Sequence, residues 1–329
     1  MNRPVRRSRY GIRVALAAMI GLCASPMEAW SAQPLRITCT TSILTALMDV
    51  AKLRGLFERH GVFVAMEEAP TSEAAIRELL EGRAEIVTVS DLSIALHGFE
   101  QPGLRVMATI GVSRDEFKIL TRANAPASLR DKVVALLPDS PAAHYFLHLF
   151  QLKNDMHVRT PDSPPDSWEK ILDALEAGTI DGFAGREPYL REAAIRLNQR
   201  VTLHAEPGLY ERSFQLLTRQ EVLDGRHAEV RGILLALLEA QRHLKADPQG
   251  FFRTVADNTG LKPAELERDA RQVRLSVTLD QELLLTLEHQ VQWAREHRMV
   301  SRDSASDFLP LMSVYPLKAL VPHMVNIIR

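Results

Sequence analysis

Small hydroxyl side chains and two arginines stand where the predicted strands of this sequence end. In an open α/β sheet, ligands bind outside the carboxyl ends of the strands, where helix N-termini present free backbone N–H groups. A serine or threonine at a helix start is weak evidence alone, because most helices prefer one there. Every predicted strand end carries such a residue, however, which favours a site for a small polar ligand. The candidate ligand-binding residues are Thr40, Thr41, Ser42, Thr71, Ser72, Ser90, Asp91, Arg114, Ser140, Ala142, His144, Arg186 and Glu187.

Arg114 and Arg186 are the two arginines that we place at strand ends. A guanidinium group recognises carboxylate, sulfonate or phosphate through two parallel hydrogen bonds, and helix N-termini add partial positive charge. An anionic ligand is therefore one expectation. The carboxylates of Asp91 and Glu187 oppose it. In the alternative, Arg186 pairs with Glu187 or a surface acid and does not meet the ligand.

His144 and His148 stand four residues apart on one predicted helix, the spacing of two metal ligands. No acidic residue lies between them, and the intervening residues 145–147 are typical of a packed core. We therefore predict neither a metal nor another cofactor. His144, at the helix start, is interpreted as a ligand contact and His148 as a partly buried structural residue.

Glu187 has two interpretations that the sequence leaves open. As a carboxylate beside the ligand, it would accept hydrogen bonds from an amine or a pyrimidine. As a structural residue, it would cap a predicted helix over 188–197, because a helix N-terminus favours negative charge. The residues around it slightly favour the structural role.

The elements that must position these residues alternate between short strands and helices. The predicted strands of a first unit are 35–40, 62–66, 85–89 and 105–112, and its helices run over 42–61, 74–81 and 92–96. A second unit has predicted strands 117–121, 133–137 and 180–184, with helices 141–152, 168–177 and 188–197. Strands and helices that alternate over such short connections indicate parallel sheets with helices on their faces.

The two units share a sequence pattern. Residues 79–85 and 175–181 both read Leu-x-x-Gly-x-x-acid, so that a helix ends at glycine and a turn delivers an acidic residue to the start of a buried strand. This repetition indicates two related lobes rather than one large sheet. After a strand over 213–218, we predict helices 220–245, 248–259, 263–272 and 281–298. The apolar tail over 307–328, which three prolines interrupt, is expected to pack on the first lobe and to end in a strand-like segment.

The N-terminus has the composition of a secretory signal peptide. Five arginines within residues 3–13 precede an apolar stretch over 14–24, and Ala29-Trp-Ser31 fits a small-x-small cleavage site. The apolar stretch is too short to span a bilayer, which needs roughly 20 residues. We expect residues 1–31 to be removed and the protein to be periplasmic, unless the signal stays as an anchor.

Charge and cysteine content exclude several classes of protein. Removal of residues 1–31 takes away five arginines and one glutamate and moves the net charge from −1 to −5. An acidic mature chain argues against nucleic acid and against an anionic membrane surface as partners. Cys39 is the only cysteine beyond the signal, so the sequence predicts no disulfide and no cysteine-based metal cluster.

Five segments together resemble the sulfonate, nitrate and thiamine-precursor group of periplasmic solute-binding proteins. They occur in the order of that family and cover nearly all of the mature chain. The segments are Arg54-Gly-Leu-Phe-Glu-Arg-His-Gly61, residues 74–86, Ser128-Leu-Arg-Asp-Lys-Val-Val-Ala135, Ser140-Pro-Ala-Ala-His-Tyr-Phe-Leu147 and Glu187-Pro-Tyr189.

The resemblance implies a type II periplasmic-binding-protein fold, with two α/β lobes joined by a two-strand hinge. On this basis lobe one spans 33–116 plus 213–329, and lobe two spans 117–212. The resemblance also implies a monomer that closes on its ligand and delivers it to the permease and ATPase of an ABC importer. Arg186 stands where the family often has an aromatic residue, and Pro70-Thr-Ser72 replaces a loop that often carries glycine or glutamine. Because both departures fall in the expected cleft, the resemblance does not identify the ligand.

An extracytoplasmic enzyme or sensor on the same fold is the alternative. The fold includes a desulfinase with a nucleophilic cysteine after the first strand, and a branch that makes pyrimidine precursors with a cysteine-rich motif. In this chain Cys39 falls within the first predicted strand, where a lone cysteine is typical of a buried core. We therefore predict no enzymatic activity.

Overall fold

The computed structural model describes residues 33–98, 103–123, 128–259, 266, 270–301 and 307–328. The expected signal peptide over 1–31 lies outside these residues, as does most of the helix expected over 263–272. No helix within the described ranges has the length and apolar character needed to cross a membrane.

Within the described residues, ten strands form two separate sheets. They are β1 (Leu35–Thr40), β2 (Val64–Ala69), β3 (Ile86–Ser90), β4 (Leu104–Ser113), β5 (Lys118–Arg122), β6 (Val134–Leu136), β7 (Gly182–Gly185), β8 (Val201–His204), β9 (Arg212–Arg219) and β10 (Val273–Thr278).

The larger sheet has the strand order β10-β4-β9-β3-β1-β2. The strand β1 runs parallel to β2 and β3, as the alternation of strands and helices predicts. The strand β9 lies antiparallel between β3 and β4, and β10 pairs antiparallel with β4 at the edge. The first four strands therefore share one direction, but a strand from much later in the chain separates β3 from β4.

The smaller sheet has the strand order β6-β7-β5-β8. Its strands β6 and β7 are parallel, and β5 runs antiparallel to both of its neighbours. All four strands lie in the chain between β4 and β9. The chain consequently passes from the larger sheet to the smaller one after β4 and returns before β9.

Twelve α-helices are described. They are α1 (Ala46–Leu53), α2 (Leu56–Arg59), α3 (Ser72–Leu80), α4 (Asp91–His97), α5 (Pro141–Lys153), α6 (Trp168–Ala177), α7 (Tyr189–Arg196), α8 (Gln220–Gly225), α9 (His227–Ala246), α10 (Pro248–Thr259), α11 (Gln281–Glu296) and α12 (Val314–Lys318). Short 3-10 helices cover Ile43–Thr45, Leu309–Leu311 and Pro322–Met324.

Two helices that the sequence predicts as continuous are interrupted. The helix expected over 42–61 begins as a 3-10 turn and breaks at Gly55, whose φ of 61° lies in the left-handed region that favours glycine. The helix expected over 220–245 divides after Gly225, and Arg226 takes a non-helical conformation (φ −128°, ψ 36°). Nη1 of Arg226 lies 2.9 Å from a carboxylate oxygen of Glu85, so this break places a guanidinium group against the larger sheet.

Several strands of the structure differ from those expected from the sequence. The strand β2 runs over 64–69 rather than 62–66, because its six residues pair in register with the whole of β1. Neither β8 nor β10 is predicted by the sequence. The end of the tail, expected to be strand-like, forms a single bridge between Val325 and Leu279.

The repeated sequence pattern has the same structural role in both sheets. Gly82 and Gly178 have positive φ values of 72° and 74° where their helices end. The carboxylate of Glu85 then accepts a hydrogen bond from the backbone N–H of Arg36 at 3.0 Å, and that of Asp181 accepts one from Val133 at 2.9 Å. In each sheet, an acidic side chain just before one strand accepts a hydrogen bond from a backbone N–H at or next to the start of the neighbouring parallel strand.

The tail packs over the larger sheet, as expected. Phe308, Leu311, Met312 and Leu317 are buried in the core that covers this sheet. A second core lies around α5 and includes Trp293 of α11. The helix α11 also packs against α4, so it touches elements that belong to both sheets.

A cleft at the carboxyl ends of the strands

A cavity of about 430 Å³ lies where residues from both sheets and the two crossing segments meet. The residues that follow β1, β2 and β3 form one wall, together with Ser113 at the end of β4. The loop before α5 and the residues after β7 form the opposite wall. The crossing segments contribute residues 115–118, Arg212 and Phe214. The cavity therefore occupies the position that strand topology favours for a ligand.

Ten of the thirteen predicted site residues line this cleft. Ser72, expected to begin α3 as its cap, is instead its first helical residue, and Thr71 is the cap, whose Oγ accepts a hydrogen bond from the Ala74 N–H. The lining candidates are Thr40, Thr41, Ser42, Thr71, Ser72, Ser90, Ser140, Ala142, Arg186 and Glu187.

Asp91 and Arg114 do not line the cleft. Asp91 is fully buried, and its carboxylate accepts hydrogen bonds from Gln290 Nε2 at 2.8 Å and from the Tyr210 hydroxyl at 3.4 Å. Burial raises the pKa of Asp91 to about 6, although the Gln290 bond lowers it. Nε of Arg114 is 2.7 Å from a carboxylate oxygen of Glu211 on the outer surface. Each directly follows a residue that does line the cleft, Ser90 in the first case and Ser113 in the second.

His144 also lies outside the cleft lining. Its ring contacts Trp293 of α11 and His297, which directly follows this helix, edge to face, with ring centroids 5.2 and 4.8 Å away. His148 reaches the same His297 ring at 5.4 Å. Burial, followed by the facing His297 and His148, lowers the pKa of His144 to about 4. The residues that the structure describes contain no group of three His, Cys, Asp or Glu side chains suited to a metal ion.

The wall near β1 has hydroxyl groups whose protons are already engaged. Thr40 donates its hydroxyl proton to the backbone oxygen of Thr88 at 2.9 Å, and its backbone N–H donates to the Thr88 hydroxyl oxygen at 2.8 Å. The hydroxyl of Thr41 donates to the Glu68 carboxylate at 3.1 Å. These side chains therefore offer oxygen lone pairs rather than protons to a ligand.

A chain of serines joins the starts of α3 and α4. Ser72 Oγ accepts the N–H of Ser90 at 3.0 Å, and the hydroxyls of Ser90 and Ser93 are 2.8 Å apart. Ser93 donates in turn to Oε1 of Glu73 at 2.8 Å. Burial alone would raise the pKa of Glu73, but the hydrogen bonds from Ser93, its own backbone N–H and Thr71 lower it. Glu73 is thus a cleft carboxylate that remains ionised near neutral pH, and sequence reasoning missed it.

Charged residues of the crossing segments form the floor of the cleft. One carboxylate oxygen of Glu116 lies 2.7 Å from Nη1 of Arg212 and 3.6 Å from Nε of Arg186. Lys118 pairs with Asp115 at 3.0 Å. Asp115, Glu116 and Arg212 lie in the segments where the chain changes sheets. Sequence reasoning missed these three residues, because the strand-end rule does not consider such segments.

The start of α5 supplies the positive end of a helix to the cleft. Ser140 caps it by accepting the N–H of Ala143 at 3.3 Å, Pro141 occupies the first turn, and the first turn contains no acidic residue. On the same wall, Arg186 donates to the backbone oxygen of Glu187 at 3.4 Å. The Glu187 carboxylate accepts the N–H of Arg191 at 3.3 Å, which agrees with its structural interpretation.

Cys39 is a buried core residue within β1. Only 4% of its surface is exposed. Burial, with a further contribution from Asp49, raises the pKa of its thiol to about 12. A thiol with so high a pKa is not a nucleophile at neutral pH, because the thiolate is the reactive form.

The sequence matches no family model and no curated protein sequence. Many solved structures share its fold. The periplasmic aliphatic sulphonate binding protein SsuA from Escherichia coli is 17% identical, with a TM-score of 0.68 over 82% of this chain and 94% of that one. A Candida albicans gene product described as having the generic periplasmic binding protein fold is 11% identical, with a TM-score of 0.63 over 89% and 96%. The desulfurization enzyme DSZB is 13% identical, with a TM-score of 0.59 over 88% and 99%. The chain therefore has the periplasmic binding protein fold, as its sequence resemblance implies.

Proposed function

We propose that this protein is an extracytoplasmic solute-binding protein, which captures a small polar ligand between two lobes and delivers it to an ABC importer. Lobe one would comprise residues 33–116 plus 213–329, and lobe two residues 117–212, with the hinge near 117–121 and 212–214. The observation that carries the proposal is the cleft of about 430 Å³ at the carboxyl ends of the strands. Its volume is in the range that suits a small organic molecule.

The walls of the cleft support this function through their chemistry. Serine and threonine residues, backbone N–H groups at helix starts and paired ions surround the cavity. Such groups hold a small polar molecule by many moderate hydrogen bonds. Since the opposite walls come from different sheets, a ligand that touches both would favour closure.

An anionic group on the ligand is part of the proposal. The solved SsuA structure is that of an aliphatic sulphonate binding protein. In the present chain, Arg186 and the N-terminus of α5 would receive such a group on the lobe-two wall.

Export and partners follow from the same proposal. Residues 1–31 would direct the chain to the periplasm, where a monomer would meet the importer permease and its ATPase. Nucleic acid is not among the proposed partners, because the chain without residues 1–31 would have a net charge of −5.

An enzyme on the same fold is the second candidate, because DSZB is a structural neighbour. Such an enzyme would need a nucleophile in the cleft. Cys39 does not line the cleft, and its raised pKa keeps it as a thiol. These observations favour binding over catalysis.

A thermal-shift screen of the mature protein tests the proposal. Sulfonates, carboxylates, nitrate and pyrimidine precursors form the panel. A ligand at 100 times its Kd should stabilise the protein by about 2.7 kcal/mol. If no member of the panel shifts the Tm or binds by calorimetry, the proposed function is wrong.

A matched pair of variants ties the shift to the cleft. Ala142→Phe should abolish it, because the ring projects into the cleft from the start of α5. Leu152→Phe, at an exposed position near the other end of α5, should leave it unchanged. Both empty variants should keep a Tm near that of the parent.

A further inference from the structure

The cleft lining contains more carboxylates than cations. Its cations among the described residues are Lys118, Arg186 and Arg212, and its carboxylates are Glu73, Asp115, Glu116, Asp139 and Glu187. The formal charge of this set is −2. A purely anionic ligand would enter such a surface against its overall charge.

Every cation of this set already faces a carboxylate at the hinge. Lys118 pairs with Asp115, while Arg186 and Arg212 share Glu116. These three cations and two carboxylates give the floor of the cleft a formal charge of +1. The other three carboxylates of the lining, Glu73, Asp139 and Glu187, give the walls a formal charge of −3, and Glu73 lies on the lobe-one wall.

Glu73 is held in a fixed and ionised state. Oε1 accepts the Ser93 hydroxyl at 2.8 Å, and Ser93 is anchored in turn to Ser90 at the start of α4. Among the residues that the structure describes, no lysine or arginine lies within ion-pair distance of this carboxylate. Hydrogen bonds from Thr71 and from its own backbone N–H also reach this carboxylate, which lines the cavity, and the charge of His97 lowers its pKa further.

We propose that Glu73 selects a ligand that carries a protonated amine or a similar N–H cation, in addition to the anionic group that Arg186 and α5 would receive. This inference rests on the proposed function and specifies its substrate class as a zwitterion. The hydroxyl protons of Thr40, Thr41 and Ser93 point to protein oxygens, so this wall accepts hydrogen bonds. An ammonium group supplies three donors and a positive charge to such a wall.

The alternative role of Glu73 is purely structural. As an acidic residue in the first turn of α3 that also accepts the Ser93 hydroxyl, it stabilises the helix start. Glu73→Gln separates the two roles. The amide oxygen can still accept the Ser93 proton, whereas the negative charge is lost.

Calorimetry with matched probes tests the proposal. The probes are 2-aminoethanesulfonate and 2-hydroxyethanesulfonate, and the pair 3-aminopropanoate and 3-hydroxypropanoate, which differ only in amine against hydroxyl. The parent protein should bind at least one amine probe ten times more tightly than its hydroxyl partner. Glu73→Gln should remove this preference while the Tm of the empty protein changes little. Glu78→Gln, on the same helix outside the cleft lining, should keep the preference.

Four outcomes would overturn the inference. Equal binding of both members of each pair, or tighter binding of the hydroxyl probes, refutes it and leaves the proposed function intact. A preference that survives in Glu73→Gln refutes the role of this residue. Failure of all four probes to bind, while another anion of the thermal-shift panel binds, refutes the zwitterion class. If nothing binds at all, the proposed function fails and the inference fails with it.

Discussion

The carboxylate of Glu116 faces two arginines that differ in what they can offer a ligand. Arg212 is close to it at 2.7 Å and stacks its guanidinium group over Phe214 at 4.9 Å. Arg186 lies 3.6 Å away and is considerably more exposed. Arg186 is thus the guanidinium that can turn towards a ligand, while Arg212 stays with Glu116.

Removal of Arg186 should weaken the binding of an anionic ligand. We expect Arg186→Ala to raise the Kd for a sulfonate or carboxylate found in the screen at least tenfold, about 1.4 kcal/mol. The Tm of the empty protein should change little, because partly exposed ion pairs contribute little to stability. Titration calorimetry measures the first quantity and a thermal melt the second.

Arg114 provides the matched control for that experiment. It is also an arginine at a strand end, but it pairs with Glu211 outside the cleft lining. Arg114→Ala should therefore leave the affinity unchanged. If Arg186→Ala binds the ligand as tightly as the parent does, Arg186 has no role in recognition.

Cys39 should behave as a core residue. Cys39→Ala removes a buried sulfur from β1, and we expect the free energy of unfolding in urea to fall by about 1–2 kcal/mol. The affinity should stay within a few-fold of the parent value, since Cys39 does not line the cleft. Complete loss of function in a folded variant would instead support the enzyme.

Most of the residues predicted at strand ends line the cleft, but the strand-end rule did not predict the charge of the cleft. The rule located Thr41, Ser90 and Arg186 without knowledge of the fold. It placed Asp91 in the cleft because a sequence does not show which of two adjacent residues turns inward. It missed Glu73 because that residue acts through its contact with Ser93, twenty positions away, which only the packing of α3 beside α4 creates.

At the scale of elements, α5 and α11 meet through a cluster of rings. His144 and His148 of α5 both contact the ring of His297, which directly follows α11. Trp293 of α11 contacts His144 as well. Burial and the facing His297 lower the pKa of His148, although the carboxylate of Glu296 raises it. The contact therefore favours the neutral forms of His144 and His148.

Acid should destabilise the contact between α5 and α11. The pKa of His144 is about 4 in the folded protein and 6.5 for the free side chain. A lowered histidine pKa means that the unfolded chain binds the proton more tightly, so its contribution is complete above pH 6.5 and is lost as the pH falls towards 4. Urea unfolding at pH 7.5, 6 and 5 should show this decline.

A histidine substitution isolates the effect from other titrating groups. In His144→Gln, the loss of stability between pH 7.5 and 5 should be smaller than in the parent. The exposed His157, when changed to Gln, should leave the parent profile intact. Parallel profiles for the parent and His144→Gln would contradict the assignment.

Periodicity predicted the alternating elements of both sheets because their connections are short and their caps are explicit. Ser140 and Ser167, for example, cap the helices that follow them. The strand β8 escaped prediction because it is an edge strand with two exposed residues, Thr202 and Leu203. The position of β9 between β3 and β4 depends on pairing between strands far apart in the sequence, which a local sequence pattern does not predict.

At the scale of the whole molecule, the proposed mechanism requires the two walls to approach each other around the ligand. Small-angle scattering should therefore give a smaller radius of gyration with saturating ligand than without it. The Ala142→Phe variant, which cannot bind, should show no change. An unchanged radius for the parent at saturation would count against closure.

The central place of β9 has a consequence for the order in which the molecule assembles. Strands β5 to β8 have all their partners within residues 118–204, so the smaller sheet can form as soon as that stretch exists. In the larger sheet, β3 and β4 are joined through β9, whose residues 212–219 pair with both. Pairings this distant in sequence slow folding, because a long loop must close first. The larger sheet, whose first strands are synthesised before those of the smaller one, is thus completed last, and a chain that ends at residue 211 should lack the connection between β3 and β4.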